Sequence, residues 1–503
     1  MPTRLPFDQL LVQVRQLRAR ITPSALARYP SVLLFLPVAP TQADWQALPH
    51  GALLRALFAS KVRKAGDTFQ LRVGAEAQTL LNVACLAGSA STFERLQAAG
   101  KLARAVLEGD PHTVLVWHQG CTASSADAAG AAAIAALQAA AFRFATFKSK
   151  PKKRALLARI DVRGRLPELD RTLASAAGNN LARWLTALPP STLDAKAYRR
   201  LLQQFARRLR LRFKFYGESQ LKRLGAGAFL AVARGNGTRD AGIAYLSYRP
   251  RGSATAAVSL VGKGICFDTG GTNLKAHKGM LDMHTDMEGS AVALGSLYAL
   301  HALRSPLAVD CWLAITENRI GPLAYKPQDV VRAANGTTIQ VIHTDAEGRM
   351  VLADALSLAS SRKPNSIIDY ATLTGACVYA LTERYSGAFS NRPAARDLIE
   401  AAGSSCGERV WCFPMDGDYD TDLESSVADV MQCAADSKGD HILAARFLNR
   451  FVPNEIPWLH LDLAAGTRHG GLAHIATEIT GFGVRYTLEL LRRGWPPAAA
   501  TRT

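Results

Sequence analysis

Val261-Gly262-Lys263-Gly264-Ile265-Cys266-Phe267-Asp268-Thr269-Gly270-Gly271-Thr272-Asn273-Leu274-Lys275 carries an apolar run, Ala256–Gly262, out into a glycine-rich turn set with charged residues. A short apolar stretch bounded by turn residues reads as a buried strand. Asp268 falls between that strand and Gly270-Gly271, a place that presents a carboxylate at a sheet edge. On either side lie further strand signals at Gly242–Tyr248, Val309–Thr316, Ser366–Ala371 and Trp458–Leu463. Helix signals fall at Val292–Leu303, Ala353–Ser361 and Ala444–Phe451. This is an α/β layout, with a mixed sheet flanked by helices, and in such sheets ligand sites gather at the carboxyl ends of strands.

Upstream, residues 1–165 read as a smaller N-terminal α/β domain. Its expected strands are Ser31–Leu36, Thr68–Val73 and Thr113–Trp117, and its expected helices Phe7–Ala19, Thr92–Glu108 and Ala126–Phe142. Apolar spacing from Leu166 to Leu188, closed by Pro189-Pro190, suits a connecting helix that Gly178-Asn179-Asn180 can interrupt. The larger C-terminal domain then spans 189–503. A chain of 503 residues is too long for one ordinary core, and 48% apolar with 20% charged residues is a globular balance.

The eight cysteines are scattered, as reduced thiols of a cytoplasmic protein would be. Val32–Ala39 follows an arginine-rich stretch and reads as a buried strand closed by proline, not as a secretory signal. The alanine-rich 126–141 reads as a packed helix, so no membrane partner is expected. The net charge of +19 attracts polyanions, and part of it sits in Lys148-Ser149-Lys150-Pro151-Lys152-Lys153-Arg154. No groove-entering element or aromatic platform accompanies that run, so it reads as a solvated loop and nucleic acid as a secondary partner.

A second segment, His343-Thr344-Asp345-Ala346-Glu347-Gly348-Arg349, also sits at a strand exit. If it is extended, Asp345, Glu347 and Arg349 project to one side, and two adjacent carboxylates there call for cations. Asp268 and Asp286 supply two more acids, and Lys263 and Lys275 flank Asp268. Four carboxylates can balance two divalent ions; a lysine can join them only as the neutral amine. Any one of these acids alone is more often a cap or a surface charge, and it is their joint occurrence that argues for a site. Gly262-Lys263-Gly264 lacks the spacing of a phosphate cradle. His284 and His343 each lie beside a better carboxylate ligand and read as supporting residues. A dinuclear phosphoesterase would be expected to recruit histidines, and an idle scaffold would not keep every ligand.

These residues resemble the leucine aminopeptidase family, peptidase family M17. The resemblance is carried by Thr344–Arg349 with Leu352–Leu356, by Val261–Lys275 and by Ala371-Thr372-Leu373-Thr374-Gly375-Ala376, and it runs from about Asn180 onward. It implies an aminopeptidase acting on peptides with a free N-terminus, a homohexamer, and two divalent metal ions per subunit, zinc or manganese. Carried over by position, Asp268 and Glu347 bridge the metals, Lys263 and Asp286 complete one site, and Asp345 completes the other. Lys275 and Arg349 match the catalytic positions outside the ligand set, with Arg349 holding bicarbonate as the general base. Met283, Thr372, Gly375 and Ala464, with Leu373 in the same loop, match substrate-binding positions. Three positions depart from the family pattern: His343 replaces a usual asparagine, Glu288 a small residue, and His284 a common lysine.

Overall fold

The computed structural model describes residues 4–74, 78–151, 156–250, 255–436 and 438–496. Lys152, Lys153 and Arg154 of the basic run lie outside the described residues. The N-terminal domain is built on a six-stranded sheet ordered Gln13–Leu17, Arg159–Arg163, Thr113–His118, Ser31–Pro37, Thr79–Leu86, Thr68–Val73. All neighbours run parallel except the last pair. In the central strand Val32 to Leu36 are at most 1% exposed. Leu33 and Phe35 face the helices Thr92–Leu107 and Ala123–Ala141, while Val32, Leu34 and Leu36 face Trp45, Leu48 and Leu54. A strand covered on both sides has no polar face, so its sequence reads as one apolar run. Among the described residues no helix is long and apolar enough to cross a membrane.

The expected helix Phe7–Ala19 does not form. A 3-10 turn, Phe7–Gln9, is followed by the strand Gln13–Leu17, parallel to Arg159–Arg163. Val12 and Val14 pack inward while Gln13 and Arg15 stay exposed, a period of two. Arg15 pairs in register with Asp161 and binds its carboxylate at 2.8 and 3.0 Å, and Tyr29 donates to the same group at 2.7 Å. A buried acid from a strand far along the chain thus sets the conformation of this segment.

The connecting helix forms as Leu169–Thr186 and runs unbroken through Gly178-Asn179-Asn180. Asn180 donates to the carbonyls of Leu10 and Gln138 in the N-terminal domain, and Asn179 to those of Thr480 and Gly481 in the C-terminal one. Gly178 meets Gly295 of the helix Glu288–Ala302 so closely that a Cβ on Gly178 would lie 2.4 Å from the Gly295 carbonyl oxygen. The expected break is instead a crossing point between two helices.

The C-terminal sheet has eight strands in the order Val410–Cys412, Ser386–Ser390, Trp458–Asp462, Ile367–Ala371, Val258–Asp268, Val309–Asn318, Gly242–Tyr248, Arg212–Gly217. The four strands from Trp458–Asp462 to Val309–Asn318 are parallel, with antiparallel neighbours on either side. Leu260, Leu313 and Ile368 point into one core with the helices Leu169–Thr186 and Glu288–Ala302. Val261, Ala314 and Ile367 point into the other with the helix Glu347–Ser360.

Two glycines in the long strand let the Glu288–Ala302 helix start hard against the sheet. A Cβ on Gly262 would lie 2.5 Å from Ser290 Cα, and one on Gly264 3.2 Å from Ser290 Oγ. From the other side, a Cβ on Gly289 would lie 2.1 Å from the Tyr370 carbonyl oxygen. This contact brings Asp286, just ahead of that helix, to the strand that carries Lys263. Gly262→Ala should therefore cost about 1–3 kcal/mol of stability. Urea unfolding is expected to show a lower midpoint at unchanged slope; a midpoint equal to that of the parent would show that the helix start is not pinned there.

Candidate active site

The strand Val258–Asp268 extends past its expected end and places both Lys263 and Asp268. Residues five apart on a regular strand face opposite sides. Here the pairing with Val309–Asn318 shifts register between Ile265 opposite Thr316 and Asp268 opposite Asn318, which inserts one extra residue. Such a bulge reverses the alternation, so that Lys263 and Asp268 serve the same site. Asp286 follows the 3-10 turn Met283–Thr285.

The segment from Asp345 is not extended. Glu347 opens the helix Glu347–Ser360, and Arg349 lies in its first turn. A carboxylate in that position is favoured by the unpaired N–H groups of the helix start. Because the helix rotates Arg349 away, it does not share a face with Asp345 and Glu347.

Five of the expected residues converge, together with Lys275. Lys263 Nζ lies 2.7 Å from Asp286 Oδ1 and 2.8 Å from Glu347 Oε1, and donates to the Thr372 carbonyl at 3.0 Å. Lys275 Nζ lies 3.0 Å from Asp268 Oδ2 and 2.6 Å from Asp345 Oδ1. Oxygens of Asp268, Asp286 and Glu347 lie within 4.8 Å of one another, the one such metal-capable cluster among the described residues. Lys263 and these three acids are buried, whereas the side chains of Lys275 and Asp345 keep 17% and 26% of their surface and mark the open side.

The charges are poorly balanced. Burial pushes Asp286 up to about 8, against the attraction of Lys263. Burial and then the neighbouring Asp268 raise Asp345 to about 6, and the same two causes raise Glu347. Burial alone would lower Lys263, but Asp286, Glu347 and Asp268 carry it above its ordinary value. Too much negative charge is confined for two ammonium groups to neutralise, and further cations would relieve it. Asp286 Oδ2 is also buried with no hydrogen-bond partner among the described residues.

The surrounding loops are tightly tied. Gly270 and Gly271 take left-handed φ values of 84° and 65°, which fold the chain back so that Lys275 N–H donates to the Thr269 carbonyl at 2.9 Å. Thr344 donates through its hydroxyl to the Gly270 carbonyl at 2.6 Å and accepts from Asn273 N–H at 2.8 Å. Asn318 donates to Asp268 Oδ1 at 2.8 Å and to the Thr344 carbonyl at 3.0 Å, joining the two segments. Gly348 leaves the passage that Lys263 occupies, since a Cβ there would lie 2.6 Å from Lys263 Cε.

Of the expected substrate-binding residues, Thr372 touches the cluster directly. Thr372 donates its hydroxyl to Asp286 Oδ1 at 2.7 Å, and Leu373 N–H donates to Asp462 Oδ1 at 3.1 Å. Gly375 is exposed at the start of the helix Gly375–Leu381, Met283 lies in the turn before Asp286, and Ala464 follows the strand that ends at Asp462. His343 sits at the rim, its Nδ1 accepting from Asp345 N–H at 3.3 Å, and is not part of the acidic cluster. Glu288 is wholly buried over Gly466, and burial pushes it up to about 8 against the opposing effect of the Gly481 backbone N–H.

Arg349 is 2% exposed and bound elsewhere. Its Nη2 lies 2.7 and 2.8 Å from the two oxygens of Asp440, and its Nη1 donates to the Gln432 carbonyl at 3.2 Å. Sequence reasoning overlooked Asn318, Gln432, Asp440 and Asp462 as site residues. For Asp440 a weak signal existed, an acid after Gly439 ahead of a helical pattern, but a helix cap is the commoner meaning of such a residue.

The cytosol aminopeptidase family, catalytic domain, matches the chain over residues 180–488. The chain belongs to this family. A probable cytosol aminopeptidase of Synechococcus sp. (strain CC9311) is 37% identical over 408 residues, covering 78% of this chain and 80% of that protein. Among solved structures, the bottromycin maturation enzyme BotP in complex with Mn has a TM-score of 0.79 at 31% identity, over 92% of this chain and 99% of that one. A tomato leucine aminopeptidase mutant has a TM-score of 0.83 at 27% identity, over 96% of both chains. Family membership makes the chain an aminopeptidase, a hydrolase of N-terminal peptide bonds.

Gly348→Ala should displace Lys263 and lower aminopeptidase turnover by about 10²-fold, the effect of misplacing a site group by roughly 1 Å. Turnover should be measured beside a melting curve. A folded variant with normal turnover would show that the glycine is not needed for the passage of Lys263.

Proposed function

We propose that the chain is a metal-dependent aminopeptidase of the leucyl type, with two divalent cations held by Lys263, Asp268, Asp286, Asp345 and Glu347. The observation that carries this reading is the buried excess of carboxylate, with one Asp286 oxygen left unpartnered among the described residues. Oxygen-rich donors with a single amine suit zinc or manganese. A solved relative of this fold is described in complex with Mn. Lys263, now an ammonium between two acids, would serve as the neutral amine once cations share those acids. Peptides with a free N-terminus are the proposed substrates, with homohexameric assembly and cytoplasmic location as parts of the same proposal.

Bound there, two divalent cations supply Lewis-acid activation of water and of the scissile carbonyl. The chain's own residues do the rest. Lys275, the more accessible lysine, offers an ammonium to the negative charge that develops on the carbonyl oxygen. Met283, Thr372, Leu373, Gly375 and Ala464 would receive the first side chain of the substrate. The bicarbonate expected on Arg349 does not fit, because the guanidinium is already bound to Asp440 and the Gln432 carbonyl.

Chelation should abolish hydrolysis of aminoacyl-anilides, and zinc or manganese should restore it. Metal at 100 times its dissociation constant should also stabilise the fold by about 2.7 kcal/mol. Activity that persists in a chelated protein shown by elemental analysis to be metal-free would exclude metal dependence. Lys275→Ala is expected to lower kcat by about 10²–10³-fold with metal content unchanged; near-normal turnover would remove Lys275 from the mechanism.

A further inference from the structure

We propose that Asp440 takes the place of a diffusible anion on Arg349 and is the carboxylate that accepts the proton of the attacking water. The assignment rests on the metal-dependent reading above. A planar anion grips a guanidinium either end-on, through Nη1 and Nη2, or side-on, through Nε and Nη2. Both modes need Nη2, and Nη2 is held by the two Asp440 oxygens at 2.7 and 2.8 Å. Nη1 is on the Gln432 carbonyl at 3.2 Å; Nε is buried without a partner among the described residues, but side-on binding through it would still need Nη2. A second anion brought to Arg349 would also meet the charge of Asp440.

The position of Asp440 suits the role. It is the first residue of the helix Asp440–Asn449, which follows Gly439 at a left-handed φ of 61°. Its partner Arg349 lies in the same helical turn as Glu347, and the charges of Asp440 and Glu347 both act on that guanidinium. His343, at the rim beside Asp345, also feels the Asp440 charge. The Asp440 side chain keeps 25% of its surface, so it is open to a water in a way that the sealed Glu288 is not. Asp268, Asp286, Asp345 and Glu347 are committed to holding cations, and no histidine joins their cluster among the described residues.

The proton balance closes within the site. As the water oxygen bonds to the carbonyl carbon, one O–H bond breaks and its proton passes to Asp440, while the carbonyl π pair moves onto the oxygen beside Lys275. When that pair re-forms the carbonyl, the C–N bond breaks and the nitrogen takes the proton back from Asp440. The products are an amino acid and a shortened peptide, and the Asp440 carboxylate is restored.

The test uses manganese-loaded parent protein, Asp440→Ala and Asp440→Asn in buffer purged of carbon dioxide, with and without added bicarbonate or formate. The parent should be fully active and indifferent to either anion. Asp440→Ala should lose about 10²–10⁴-fold in kcat with little change in KM, and should regain at least about tenfold with formate or bicarbonate. Bicarbonate should raise the melting temperature of Asp440→Ala and leave that of the parent unchanged. Asp440→Asn, which fills the same space, should be equally slow and not be rescued; it decides the matter if the alanine variant does not fold. A parent that is active only with bicarbonate would overturn the assignment and leave the metal reading intact. So would a purged alanine variant of normal kcat, a purged asparagine variant of normal kcat, or a folded, slow alanine variant that no anion rescues or stabilises. A parent inert with metal would overturn both readings.

Discussion

Lys263 lies between Asp286 and Glu347, and Lys275 lies between Asp268 and Asp345. Two ammonium groups therefore face four carboxylates in a place largely closed to water, where each charge is costly to desolvate and like charges repel strongly. The chain would not hold such a group together by its own local preferences. The surrounding sheet, helix starts and glycine-rich loops impose it, and burial, with the neighbouring acids, holds the Asp286, Asp345 and Glu347 carboxyls above their usual range. The site is left short of positive charge.

Close backbone approach is what makes this confinement possible. Gly262, Gly264 and Gly289 remove the side chains that would keep the Glu288–Ala302 helix off the sheet, and Gly348 opens the way for Lys263. The same device recurs at the crossing of Gly178 and Gly295, where the connecting helix rests on that same helix. Asn179 and Asn180 then tie this crossing to both domains through main-chain carbonyls.

Arg349 and Asp440 form a second, separate charge pair at the edge of the cluster. Their pairing satisfies a buried guanidinium that would otherwise stand unneutralised, and leaving one partner alone would be costly. The pair joins the start of the helix Asp440–Asn449 to the first turn of the helix that Glu347 opens.

Much of the fold was legible because apolar strands covered on both faces have little else they can be: the runs expected at Ser31–Leu36 and Ser366–Ala371 form as Ser31–Pro37 and Ile367–Ala371, buried and paired in parallel on both sides. Phe7–Ala19 was misread because its apolar residues fit a helical period locally, while Arg159–Arg163 and the buried Asp161 act on it from far along the chain. Local pattern competes poorly with a cross-strand partner that contributes both a ladder and an ion pair.

Residue types by themselves pointed to Lys263, Asp268, Asp286, Asp345, Glu347 and Lys275 as one group, through the joint occurrence of four acids and two lysines beside glycine-rich turns. The tertiary structure alone decided how they meet. The bulge that turns Asp268 to the side of Lys263, the helix that swings Arg349 away from Glu347, and the arrival of Asp440 all depend on contacts between segments tens of residues apart. Such contacts leave no periodic trace in the chain, because what fixes them is the geometry of the packed neighbours.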